Sequence, residues 1–185
     1  ISKSFIQRGI VLDNLDLEIN EGDTIAVSGP SGSGKTTLAQ KIGQTRSLLS
    51  ADDFWIQMDG SYKFDPTRLS EAHAMCFRNF MGICEQSILT DFIVVHNTAL
   101  SNWERAPYVQ CAQAYNLPYL VVTLNIHPLE SGPRNVHGVP ADRLSSMWER
   151  REKVLPFWPQ LQLESCELSE MQEKWVKPII EHFAK

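Results

Sequence analysis

The chain has 185 residues, 43% of them hydrophobic and 21% charged. That is the size of one domain; it can bury roughly 70% of its extended surface without a disulfide or a structural metal, and its composition excludes disorder and collagen-like or coiled-coil architecture. Its 17 basic and 22 acidic side chains leave a net charge of −5, which disfavours a surface that tracks long nucleic acid and permits a small basic pocket for one strand end.

Residues 1–23 alternate Ile10, Leu12, Leu15, Leu17 and Ile19 with Asp13, Asp16, Glu18 and Asn20, and read as an N-terminal strand or hairpin extension. Thr24 to Ser28 is a short apolar run of the kind buried on both faces in a parallel sheet. A glycine-rich loop follows, then a helix from Lys35 to about Gln44. Ser47 to Ala51 reads as a second strand, with Asp52 and Asp53 at its C-terminal end. Asp65-Pro66 is a helix opening, because Asp caps and Pro suits the first helical position. Its apolar face is expected to run through Leu69, His73, Cys76, Phe77, Phe80, Cys84 and Ile88.

Phe92 to Val95 is a third strand, Glu104 to Tyr115 a helix beginning near a proline, and Tyr119 to Leu124 a fourth strand. Residues 128–140 read as a loop with glycines at 132 and 138, followed by a helix from Asp142 to Lys153 that turns Leu144, Met147 and Trp148 inward. A short strand at Leu161 to Leu163 and a helix from about Ser169 close the chain. Strands alternating with helices imply right-handed βαβ units, hence an α/β fold with a parallel sheet of four to five strands flanked by helices. No run approaches ~18 consecutive apolar residues, so no membrane span is expected. Cys76, Cys84, Cys111 and Cys166 form no C-x-x-C pair and are expected to be reduced, buried thiols of a cytoplasmic protein.

Gly29-Pro30-Ser31-Gly32-Ser33-Gly34-Lys35-Thr36 matches G-x-x-x-x-G-K-[ST], with a strand before it and a helix after it. Glycines let backbone amides turn around a phosphate, and the helix N-terminus adds positive partial charge. Gly29 through Thr37 are therefore the expected nucleotide-binding residues, with Lys35 on the β and γ phosphates and the Thr36 hydroxyl on Mg²⁺. ATP or another nucleoside triphosphate with Mg²⁺ is the implied ligand.

Two resemblances follow. Residues 12–38 look like the start of an ABC-type ATPase domain, yet the glutamine loop, the L-S-G-G-Q signature and the acid-ended Walker B strand of that family are missing. A longer stretch, from Thr24 to Lys153, resembles the P-loop polynucleotide kinase family and its AAA-type kinase relatives. It is carried by Ser50-Ala51-Asp52-Asp53, Gly60-Ser61-Tyr62-Lys63-Phe64-Asp65-Pro66, Val94-Val95-His96-Asn97-Thr98 and Arg134-Asn135-Val136-His137-Gly138.

The resemblance implies a P-loop NTPase kinase-type fold over residues 1–185, with residues 128–140 as a lid. It implies Lys35, Asp52 and Arg134 as catalytic residues: Asp52 as general base on the acceptor hydroxyl, and Arg134 as the arginine closing over the transferring phosphoryl group. Asp53, Trp55, Asn97 and Arg143 are the candidate acceptor-side residues; Asp53 reads equally as structural or as a residue behind a metal ligand, and Arg143 is a candidate for acceptor phosphates through the helix face that its spacing shares with Arg150. Asn97 stands where phage-type enzymes carry an important Asp, and Trp55 replaces an Arg that grips substrate phosphate. Trp55 is then either a platform for a nucleobase or a core residue. Glu130 lies near the place of a further lid arginine. His96 and His137 read as structural. The implied reaction is transfer of the ATP γ-phosphate to an alcohol, with the 5′-hydroxyl of RNA or DNA as first choice and a nucleic acid 5′-end as partner. A small-molecule or nucleoside kinase, or a non-catalytic nucleotide-binding module, is the alternative. Ile1 in place of an initiator Met suits a piece of a larger repair polypeptide, and oligomeric state is left open.

Overall fold

The computed structural model describes residues 23–42, 48–86, 93–131, 138–166 and 169–183. The expected extension over residues 1–22 and the lid residues Arg134 and His137 lie outside them. In chain order the elements are β1 (Thr24–Ser28), α1 (Lys35–Ile42), β2 (Leu48–Leu49), a 3₁₀ turn (Ala51–Trp55), α2 (Leu69–Cys84), β3 (Ile93–Val95), α3 (Asn102–Ala114), β4 (Tyr119–Leu124), α4 (Pro128–Ser131), α5 (Ala141–Glu149), β5 (Gln160–Leu163), and a π turn (Gln172–Val176) that runs into α6 (Lys177–Phe183). The sheet has five strands in the order β2-β3-β1-β4-β5, and every pairing is parallel.

Alternation along the strands sorts the core into two layers. Ile25, Val27, Val94, Leu120, Val122 and Leu124 pack on one face against Leu38 and Ala39 of α1 and against Trp175, Val176, Ile179 and Ile180. On the other face Leu49, Ile93 and Val95 meet Ala72, Cys76, Phe80 and Cys84 of α2 and Tyr108, Cys111 and Ala112 of α3. Each fully buried large side chain contributes about 1.5–3 kcal/mol, which is why helices cover both faces.

Several expected boundaries move, for local reasons. β2 stops at Leu49 because Ser50 and Asp53 cap the 3₁₀ turn that follows. Asp65 does cap a turn, accepting from Thr67 N at 2.9 Å, with Pro66 at its start. Leu69 leaves the apolar face at 43% exposure, and Ala72 is buried in its stead. Ser101 and Glu104 open α3 ahead of the proline, with Ser101 N donating to Glu104 Oε2 at 2.8 Å, so Pro107 sits inside the helix. The 128–140 stretch includes the short helix α4. α5 ends at Glu149; the chain beyond it is held by the loop after β3, Glu152 N donating to Leu100 O at 2.8 Å and Asn102 N to Glu152 Oε2 at 2.7 Å. Arg105, 2% exposed, reinforces that seam by donating to Leu100 O at 2.9 Å and Asn102 Oδ1 at 3.0 Å.

The four cysteines are free thiols, three of them buried. Among the described residues no helix is long and apolar enough to cross a membrane. A cavity of about 340 Å³ opens at the N-terminal edge of the sheet, lined by Asp23, Leu117, Pro118, Tyr119, Pro159, His182 and Phe183. Asp23 is 1% exposed and its Oδ2 has no hydrogen-bond partner. Burial pushes its carboxyl up to about 6. A carboxyl raised on folding adds stability below its unfolded pKa and loses it as pH climbs through the folded value. Thermal melts should therefore show Asp23→Asn gaining on the wild-type protein as pH rises from the ordinary carboxyl value of 3.8 to the folded value of about 6, with little further gain above it. A constant difference across that window would contradict this origin.

Candidate functional site

Parallel pairing brings the C-terminal ends of β1, β2 and β3 to one edge of the sheet. β1 runs through the glycine loop into α1, a conformation that forms an anion-binding concavity at a helix N-terminus. Gly29 has φ +154°, and a Cβ there would lie 2.8 Å from Ser33 Oγ and 3.1 Å from Leu124, so only glycine fits. Gly34 has φ +92° and backs onto the Trp175 ring. Ser33 is fully buried, and its hydroxyl has no protein partner. Such a group calls for an acceptor, and a phosphate oxygen in the loop fits it.

Lys35 Nζ donates to Pro30 O at 2.9 Å, folding the ammonium across the loop. Burial pulls its pKa down to about 8, while the Asp52 carboxylate pulls it up. The two side chains, from different βα units, thus share one electrostatic neighbourhood. The loop after β3 closes the same space. Gly29 N donates to Thr98 O at 3.2 Å, and the next residue, Ala99, holds φ +32°, a conformation that costs a non-glycine residue on the order of 1–3 kcal/mol. Strain of this kind concentrates where surrounding structure fixes a site.

The acidic pair divides its work. Asp53 Oδ2 accepts from Ser50 N at 3.0 Å, and Ser50 Oγ accepts from Asp52 N at 3.1 Å, a reciprocal cap. Asp53, expected on the acceptor side, thus holds the turn. Asp52 is exposed, and its Oδ1 accepts from Tyr62 Oη at 3.3 Å. Tyr62 went unassigned as a site residue; the clue was the Gly60 turn, which folds its strand back toward Asp52.

Two further residues expected on the acceptor side are buried. Asn97, 5% exposed, accepts from Ala51 N at 2.8 Å through Oδ1, and its Nδ2 donates to Tyr108 Oη at 3.2 Å and to Cys76 Sγ at 3.4 Å. All three of these contacts lie within the protein, and the first anchors the residue before Asp52. Trp55 is 2% exposed, with the Phe54 and Phe64 rings edge-on at 4.8 and 5.1 Å. Of its two expected readings this is the core residue, and it roots the turn in the core. Arg143 is exposed in the first turn of α5, and Thr36 is exposed at the mouth of the loop. His96 is 8% exposed; burial lowers its pKa, and it feels Asp53, Lys35 and Asp52. The oxygen donors Thr36, Asp52 and Asp53 lie at this edge, and such ligands suit a hard cation such as Mg²⁺.

A family model described as an AAA domain (AAA_33) matches residues 25–137. The ATP-binding protein LolD of the lipoprotein-releasing system of Bacteroides fragilis is 37% identical over 93 residues, which is 49% of this chain and 40% of that protein. The chain spans less than half the length of the first three curated relatives it matches. Among solved structures, a gluconokinase from Sinorhizobium meliloti superposes with a TM-score of 0.62 at 16% identity, covering 88% of this chain and 94% of that one. The APS kinase CysC of Mycobacterium tuberculosis, in complex with AMPPNP and APS, gives 0.59 at 17%, covering 87% and 98%. At such identities the likeness is one of fold: a P-loop kinase-like α/β fold with a five-stranded parallel sheet flanked by helices.

Replacing Asn97 with Leu would leave the Ala51 amide buried without a partner. Urea unfolding should show a loss of about 1–3 kcal/mol; a neutral result would dismiss Asn97 as an anchor. Lys35 gives a second expectation. With its free-protein pKa near 8, ammonium is lost as pH rises above that value. The dissociation constant for ATP should then rise about tenfold per pH unit from that point until the pKa of the complex is reached. A flat profile from pH 7 to pH 10 (about one unit below to two above the Lys35 value) would mean that this ammonium does not hold phosphate.

Proposed function

The chain belongs to the AAA_33 family of AAA domains, a P-loop, kinase-like family, and from that premise we propose that it moves the γ-phosphate of ATP to the hydroxyl of a small molecule. The observation that carries the reading is the convergence of Lys35 and Asp52 on one edge of the sheet, close enough for each charge to act on the other. A nucleotide-binding module needs the first of these groups; a phosphotransferase needs both.

In this reading the loop amides, the Ser33 hydroxyl and Lys35 hold the triphosphate. The Thr36 hydroxyl would hold a Mg²⁺ ion, which when bound neutralises charge on the phosphates. Asp52 accepts the proton of the acceptor hydroxyl as its oxygen bonds to the γ-phosphorus. The bond from that phosphorus to the β–γ bridging oxygen breaks, and ADP leaves with the electron pair. Asn97 and the Ser50–Asp53 cap keep Asp52 in place, and Arg134 is proposed to close over the transferring group.

A small acceptor is favoured over a polynucleotide end because two of the four side chains expected on the acceptor side, Trp55 and Asn97, are buried. The gluconokinase and APS kinase that share the fold point the same way. The 5′-hydroxyl of RNA or DNA remains the competing acceptor, supported by the order of the motif blocks and by exposed Arg143. A module whose ATP turnover drives a partner is the third reading, supported by likeness to the transport ATP-binding proteins.

Labelled ATP with Mg²⁺ and a panel of small alcohols and 5′-hydroxyl oligonucleotides separates the three. Label on small alcohols supports the main reading. Label on oligonucleotides alone replaces it with the second, and hydrolysis without any labelled acceptor replaces it with the third. Asp52→Asn should lower transfer by about 10²–10⁴-fold while ATP still binds. Lys35→Ala should weaken both. Full turnover in the Asp52 variant would remove it as the base.

A further inference from the structure

Between Asp52 and α2 the chain makes a small hairpin that the roles above do not use. Ile56 and Tyr62 pair across it in an antiparallel bridge. Gln57 N donates to Ser61 O at 2.8 Å, Gly60 N to Gln57 O at 2.9 Å, and Lys63 N to Trp55 O at 3.0 Å. Asp59 Oδ1 closes the tip by accepting from Ser61 N at 2.9 Å and Ser61 Oγ at 2.6 Å. Gly60 takes φ +79° in that turn. The hairpin is therefore a preformed unit with its root in the core at Trp55.

Residues directly opposite in an antiparallel pair project to the same face. The Tyr62 hydroxyl donates to Asp52 Oδ1, so the face shared by Ile56 and Tyr62 adjoins the carboxylate proposed as base. This face is apolar and open: Ile56 is 56% exposed and Tyr62 40%, with fully exposed Met58 near the tip. Of the charged residues of 56–64, Asp59 is turned back on Ser61 at the tip, and Lys63, next to Tyr62 in the strand, projects to the opposite face, so the Ile56–Tyr62 face supplies no cationic grip for phosphate. The phenol also shows how an alcohol reaches Asp52, since it makes the hydrogen bond that an acceptor hydroxyl must make before giving up its proton.

We infer that the 56–62 hairpin is the acceptor platform, and that it takes a neutral alcohol joined to a flat ring, the face of the ring laid against Ile56 and Tyr62 and the hydroxyl at Asp52. This rests on the phosphotransfer reading and narrows its substrate class. The transfer balances as before: the ring-borne alcohol gives its proton to Asp52 and its oxygen to the γ-phosphorus, and ADP departs. A phosphate beside the reacting hydroxyl gains nothing from this face.

The test uses thymidine, thymidine 3′-monophosphate and gluconate as probes with labelled ATP and Mg²⁺, together with calorimetric binding of thymidine in the presence of a non-hydrolysable ATP analogue. Thymidine should be the preferred acceptor by kcat/KM. Ile56→Ser and Ile56→Gly should each raise its KM and its calorimetric Kd about tenfold, with kcat changed by less than about threefold. A merely structural hairpin would change the melting temperature and kcat together instead. Preference for gluconate or for the 3′-monophosphate would overturn the inference and leave phosphotransfer standing, as would variants with unchanged thymidine KM and Kd. Transfer to none of the three while another small alcohol of the panel is labelled would overturn this inference alone, and no labelled small alcohol at all, with the ATP analogue bound, would overturn both.

Discussion

The structure depends on every strand of its sheet pointing the same way. A parallel sheet is buried on both faces and leaves its C-terminal edge as the place where loops meet. Because β3 lies between β1 and β2, the phosphate loop and the Asp52 turn are held apart by one strand and bridged by the loop that leaves it. Thr98 reaches the first of these through Gly29 N, and Asn97 reaches the second through Ala51 N. One short segment thereby sets the spacing between a triphosphate cradle and a carboxylate.

That spacing matters because phosphoryl transfer asks a protein for position and electrostatics more than for covalent chemistry. The side chains that do the positioning are buried and neutral. Asn97 is fully engaged between Ala51, Cys76 and Tyr108, and Trp55 is fixed by two edge-on rings. An aspartate at position 97 would have to bury a charge between a phenol and a thiol, whereas the amide donates to both and still accepts from the backbone. The charged groups, Lys35 and Asp52, sit on that neutral frame. The pull of the Asp52 carboxylate on Lys35 opposes the loss of charge that burial imposes.

In the proposed reading the acceptor side follows a different logic. It is a hairpin held by its own backbone bonds, and it shows an apolar face rather than a cluster of cations. Donor and acceptor are thus recognised by opposite physics, oriented dipoles and an ammonium on one hand and apolar contact on the other. A net charge of −5 is no obstacle in such a division, since the positive potential is needed in one small loop alone.

The sequence by itself determined the elements whose signals are local. The phosphate loop is one, because its glycines and Lys35 are contiguous. β4 is another: its apolar run falls on Tyr119–Leu124, as the pattern predicts. The Asp65-Pro66 opening of the second long helix is a third. Tertiary structure alone decided which polar and aromatic residues face solvent. Asn97 and Trp55 carry types that serve a substrate or a core equally well, and the choice was made by Ala51, Tyr108 and Phe64, which lie on other elements or beyond a turn. The end of α5 was decided the same way: its helical pattern runs on to Lys153, but residues 152 and 153 bond to the loop after β3. Local chemistry specifies where a turn or cap can form. Burial is a property of what packs against a residue, and a chain read one residue at a time does not contain its own neighbours.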